Sequence, residues 1–221
     1  VSLLQGLTLG DYYWSKSIKE LKELGNIWLW TFNWLNWELI MLDWVVYRAN
    51  DELAIEIPSD DELIPFSNVT FFDNDLEYEL KDIKDINTLK AQLDEKISEL
   101  WNNRFYIAAI SWSFNKFYIR SERKQEEPYK TLVEVLRVDQ TEKKLSDVEW
   151  TVVALYTPSY MSDLNAAGWH LHFITKDRKI GGHVLGLDLN KATVTWDYTN
   201  NFKLHLPDGE FYKALDFSIN L

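Results

Sequence analysis

The stretch Gly168-Trp169-His170-Leu171-His172-Phe173, followed by Gly181-Gly182-His183-Val184-Leu185, holds three of the four histidines of the chain. In an extended strand, side chains at i and i+2 leave the same face. His170 and His172 therefore project together. The polar residues 175–179 read as a turn, and the apolar run 183–187 returns as a partner strand. Such a hairpin brings His183 beside the first pair, and Gly181-Gly182 lets backbones approach closely. Three neutral imidazoles with an open fourth position form a catalytic zinc site, whereas structural zinc is closed by four protein ligands. The plain alternative is a His-x-His pair on a half-exposed strand that binds nothing. The third histidine at hairpin distance favours a metal.

The chain has 221 residues, of which 46% are hydrophobic. That suits one domain, or two packed subdomains, with a substantial core. The formal net charge of −12 argues against nucleic acid or an anionic membrane as partner. An anionic small substrate would need a local cation, either a metal or an arginine. No cysteine is present, so there is no disulfide framework and no thiolate metal site, which fits a cytoplasmic protein. No apolar run reaches the about 18 residues of a membrane-spanning helix, and no signal peptide is visible. The first residue is Val1 and not Met, which leaves secretion open.

Outward from the hairpin, residues 15–24 read as a short amphipathic helix, with Ser17 and Glu20 as a capping box and Gly25 as its stop. Residues 27–47 read as two strands and a turn, followed by a third strand near 45–48. Residues 68–72 read as another strand. Leu89, Leu93, Ile97 and Leu100 predict a helix over 86–100. Residues 105–119 alternate and read as two strands around a turn at 113–116. Residues 148–156 form a strand ended by Thr157-Pro158. Residues 193–198 and 202–206 read as a final hairpin. Strands outnumber helices. The expected class is α+β, mostly β, with mixed sheets in two packed subdomains, 1–105 and 106–221, the second carrying the metal site on its β-hairpin.

The hairpin resembles the signature of the α-acetolactate decarboxylase family. Other segments also match: Thr31-Phe32-Asn33, Glu38-Leu39-Ile40, Leu42-Asp43, Pro65-Phe66, Val69-Thr70-Phe71-Phe72, Phe117-Tyr118-Ile119-Arg120, Pro128-Tyr129, Thr157-Pro158 and residues 204–207. The resemblance covers almost the whole chain. It implies a lyase that converts 2-acetolactate to acetoin and carbon dioxide with bound zinc, working as a homodimer. It further implies His170, His172 and His183 as zinc ligands, Arg120 as the cation facing the substrate, and Glu38 as the carboxylate that handles protons. The residue types suit those roles. Adjacent ketone and hydroxyl oxygens can chelate one metal. A guanidinium keeps its proton and offers a planar fork of donors. A positioned carboxyl can deliver a proton to carbon.

Without the resemblance, Arg120 would read as a surface ion pair with Glu122, Glu126 or Glu127, and Glu38 as a solvated strand residue. His205 has no matching role. Two other classes stay open: another His₃ metal protein, such as a cupin-like iron oxygenase with a further carboxylate ligand, and a non-catalytic interaction protein with aromatic surfaces. The family carries a further glutamate in a C-terminal tail. This chain ends at Leu221, before that position, and reads as a fragment.

The tryptophans depart from the family pattern. There are 11, against only 8 glycines. Trp28, Trp30, Trp34, Trp37, Trp44 and Trp112 occupy positions where the family has or commonly has glycine. Trp14, Trp101 and Trp150 also stand where glycine would read naturally, whereas Trp169 and Trp196 suit an aromatic. Asn33-Trp34 and Asn36-Trp37 would become Asn-Gly turns. Reading the nine as glycine, added to the 8 present, makes about 17, close to the usual share of about 7%. The expectation is that UGA encodes glycine in the source and was translated as tryptophan. UGA at those nine codons, with UGG at Trp169 and Trp196, is the test.

Overall fold

Residues 3–13, 16–162 and 164–218 are described by the computed structural model, with only the backbone of residues 112–115. Two antiparallel sheets organise the chain. The first contains β2 (Ile27–Thr31), β3 (Glu38–Leu42), β4 (Val45–Ala49), β5 (Ile55–Glu56) and β7 (Phe66–Thr70), in the order β5-β4-β3-β2-β7. The second contains β8 (Leu76–Ile83), β9 (Phe105–Glu122), β10 (Gln140–Thr157), β11 (Gly168–Thr175) and β12 (Gly181–Thr199), in the order β11-β10-β9-β12-β8. An additional β11–β12 pairing closes β9, β10, β11 and β12 into a ring. A small ribbon pairs β1 (Lys16–Ser17) with β6 (Leu63–Ile64). The helices are α1 (Leu4–Thr8), α2 (Ile18–Lys22), α3 (Ile86–Leu100), α4 (Leu132–Val138) and α5 (Glu210–Ala214).

The layers follow from alternation. On β3, Leu39 and Met41 pack with Ile18 and Leu21 of α2, while Ile40 and Leu42 face the second sheet. All five residues of β3 are consequently buried. On β11, Trp169, Leu171 and Phe173 enter the core that lies under α3. Ile174, on the opposite face, packs against the first sheet. That parity sends His170 and His172 toward β3, into the seam between the sheets.

Several sequence expectations meet the structure closely. The helix over 86–100 is α3, and its capping Asp85 accepts from the Thr88 amide. Ser17 and Glu20 form the expected capping box on α2. Other expectations need correction. The described pairings are all antiparallel, so the sheets are not mixed. No turn interrupts β9 at 113–116. There the polar residues stay extended because β10 pairs alongside them, Lys116 opposite Ser146 and Ser113 opposite Glu149. Residues 202–206 form no strand. Their expected partner in β12 is already paired with β8 on one side and β9 on the other. By strand membership, the first sheet ends with β7 and the second begins with β8.

Candidate metal centre and active site

The strand register assembles the site. His172 on β11 lies opposite His183 on β12, and His183 lies opposite Arg120 on β9. Directly opposed residues share a face, so His172, His183 and Arg120 form one row across three strands. His170 joins from two residues away. The ligand nitrogens of His170, His172 and His183 all lie within 4.8 Å of one another. Gly182 is sterically required, since a Cβ there would stand 2.5 Å from the Arg120 carbonyl oxygen, whereas a Cβ on Gly181 would meet the end of the Ile55 side chain and lie 3.0 Å from the Phe173 carbonyl oxygen.

The protonation pattern suits a cation. His172 Nδ1 lies 2.7 Å from the Leu39 carbonyl oxygen, so this nitrogen is the N–H donor and Nε2 carries the lone pair. That Nε2 is 3.0 Å from His170 Nε2 and 3.0 Å from Glu38 Oε2. A lone pair facing a carboxylate oxygen at this distance needs a proton or a metal between them. Burial pushes His172 down to about 4. Burial also holds His170 and His183 well below the ordinary imidazole range, reinforced by neighbouring histidines and Arg120. The three rings are therefore neutral, the form that ligates a metal. Protonation of the rings themselves then competes with a metal only well below the ordinary imidazole range.

Glu38 arrives from β3, more than a hundred residues away in sequence, and is 5% exposed, so it is not a solvated strand residue. It also makes a hydrogen bond with Glu122. Burial raises Glu38 to about 7, against the lowering influence of Glu122 and Arg120. Glu122 is also raised well above its usual range, by burial and then by the Glu38 charge. Two buried carboxyls in contact hold one proton between them near neutrality. Arg120 Nε lies 3.4 Å from Glu122 Oε1, an ion-pair distance, and Nη1 donates to Gln140 Oε1 at 3.1 Å. The Arg120–Glu122 pair thus exists, but in a buried site and not at the surface.

All five expected site residues are therefore neighbours. Glu122 is the residue that the sequence reading missed as part of the site. Its signal was present: it stands two residues after Arg120 on one strand, hence on the same face. His205 lies elsewhere, in an apolar groove with Leu29, Phe105 and Phe202. Trp30 and Trp37 lie on the segment that leads to Glu38, and the first reaches the site. Trp30 stacks on His170, with ring centroids 4.0 Å apart, and Arg48 lies over Trp37.

Over almost its whole length the chain is similar to known proteins. The sequence model of the family described as alpha-acetolactate decarboxylase matches residues 1–219. An alpha-acetolactate decarboxylase of Methanosarcina mazei is 33% identical over 97% of this chain and 74% of its own length. That of Bacillus licheniformis is 31% identical over 99% of this chain and 83% of its own. The crystal structure of alpha-acetolactate decarboxylase from Bacillus subtilis strain 168 superposes with a TM-score of 0.93 at 28% identity, covering 99% of this chain and 92% of that one.

Proposed function

The chain belongs to the alpha-acetolactate decarboxylase family, and we propose from that premise that it converts 2-acetolactate to acetoin and carbon dioxide with zinc held by His170, His172 and His183. The observation that carries the reading is the row His172, His183, Arg120, with a Glu38 oxygen 3.0 Å from His172. Zinc, when bound, supplies Lewis acidity to the adjacent ketone and hydroxyl oxygens of the substrate.

The side chains divide the remaining work. Arg120 binds the substrate anion or its developing charge, since its guanidinium stays protonated throughout. The bond to the carboxyl carbon breaks, carbon dioxide leaves, and the electron pair stays on the remaining fragment. Glu38 then delivers its proton to a carbon of that remaining fragment, giving acetoin, and is recharged from water. Glu122 positions both groups, through the ion pair to Arg120 and the hydrogen bond to Glu38. The first sheet covers the site and keeps water from competing for the proton. The same reading extends to a homodimer in the cytoplasm.

The test is acetoin formation by purified protein, lost on chelation and regained with zinc. Glu38→Gln lowers kcat by roughly 10²–10⁴-fold, the usual range for a general acid, and leaves zinc uptake intact. The raised pKa of Glu38 fixes the sign of the pH dependence. Its proton is retained up to about pH 7, so kcat falls as pH rises beyond that value. A flat rate to pH 9 would remove Glu38 from the role.

A further inference from the structure

Trp30 breaks the alternation of its strand. Trp28 and Phe32, two residues to either side, pack with α2 on the far face of the first sheet. The same parity would place Trp30 with them. Its indole instead lies in the seam with Leu29, Ile40 and Phe66. The cause is a φ of 143°, a backbone conformation that side chains of L-residues rarely adopt. The ring then lies parallel to His170, 19° between planes, and edge-on to Phe66 at 4.7 Å. It is 7% exposed, and its Nε1–H meets no acceptor among the described residues. Beside it, a cavity of about 50 Å³ is lined by Trp30, Thr31, Glu38, Arg120 and Glu122. That volume suits a few waters, while ligand sites commonly span about 300–1,000 Å³.

We propose that the Trp30 indole narrows the place of the substrate without filling it, so that residue 30 sets the size of ligand the centre admits. Glycine at this position opens the site to a branched 2-hydroxy acid. Two observations independent of size point the same way. The backbone angle favours a residue without Cβ, and the buried indole N–H is unpartnered among the described residues, which is unfavourable in its own right. This inference rests on the metal-site reading above.

The test compares the protein as it exists with Trp30→Gly, both loaded with cobalt(II) in place of zinc. The ligand is 2-hydroxyisobutyrate, which has the hydroxyl and carboxylate but no ketone, and so cannot decarboxylate. The visible cobalt spectrum of the parent is expected to shift only at high concentrations of it, and that of Trp30→Gly to shift saturably, with binding at least about tenfold tighter. Trp30→Ala, which also removes the ring, gives the same direction and stands in where the glycine variant fails to fold. Equal responses in parent and variants would overturn the proposal, as would no response in any of them. With 2-acetolactate, turnover rises by roughly 100-fold, a factor that small misplacements of substrate already cost. A variant that binds 2-hydroxyisobutyrate yet makes no acetoin refutes the decarboxylase reading and leaves the role of residue 30 standing. UGA at codon 30 would identify glycine as the residue of the source protein.

Discussion

His172→Ala abolishes zinc uptake and acetoin formation together. The ring is fully buried, and its environment fixes every feature that a ligand needs. Leu39 accepts the Nδ1 proton, which leaves Nε2 as the donor atom. Burial keeps that atom unprotonated. His183 lies directly opposite on β12. Removing an outer partner of a metal ligand costs about 10–100-fold in affinity, so removing the ligand itself exceeds that. The substitution also strips the buried Leu39 carbonyl of its donor, at about 1–3 kcal/mol, so a lower unfolding midpoint accompanies the loss. A structural effect is separated by metal stoichiometry measured well below the unfolding temperature. His205→Ala, which changes the histidine count but not the cluster, retains zinc and activity. Full turnover by His172→Ala, or loss of zinc in both variants, contradicts the site.

The two histidine strands were legible because the decisive information is local. A period of two fixes which side chains share a face, and a short polar segment fixes the return of the chain. The register that sets His183 opposite Arg120 depends on the whole segment 121–182 between them, and no local pattern contains it. Glu38 is harder still. It reads as one carboxylate among many until β3 is stacked across the seam, and its raised pKa comes from burial that only the packed sheets create. The family resemblance supplied both residues, because it carries a long-range arrangement that periodicity cannot. Glu122 escaped both routes, although its two-residue offset from Arg120 was available. The misread segments share one cause. Residues 113–116 and 202–206 were assigned from their own composition, while strand formation depended on which neighbouring edge was free.

Trp44→Gly stabilises the protein, while Trp44→Ala does not. Asp43 and Trp44 have φ of 51° and 63° and join Leu42 directly to Val45 across the β3–β4 hairpin. Two successive positive φ values in a two-residue loop define a type I′ turn, for which Asp-Gly is among the preferred sequences. A bulky L-residue in the left-handed region costs about 1–2 kcal/mol. Trp44 is 52% exposed, so little burial offsets that cost. Glycine returns some of the gain as unfolded-chain entropy, about 0.5–1 kcal/mol, which leaves a net benefit of about 0.5–1 kcal/mol. Alanine keeps a Cβ and therefore keeps the strain. Trp34 and Trp37 share the conformation, at φ of 60° and 76°, in the loop after β2. Lys124 lies over Trp34 and Arg48 over Trp37, so glycine there forfeits cation–π contacts of about 0.5–1 kcal/mol and gains less. The two Asn-Trp pairs thus share one connection, whose first part is a 3₁₀ turn, and do not form separate hairpins. Their demand for glycine is nevertheless the one expected. Adding Trp34→Gly and Trp37→Gly to Trp44→Gly raises the melting temperature by roughly 2–6 °C, at about 2–4 °C per kcal/mol for a chain of this size. Thermal unfolding of the single and triple variants checks this. A lower midpoint for Trp44→Gly, or an equal rise for Trp44→Ala, would show that the backbone angle is not what these positions resist.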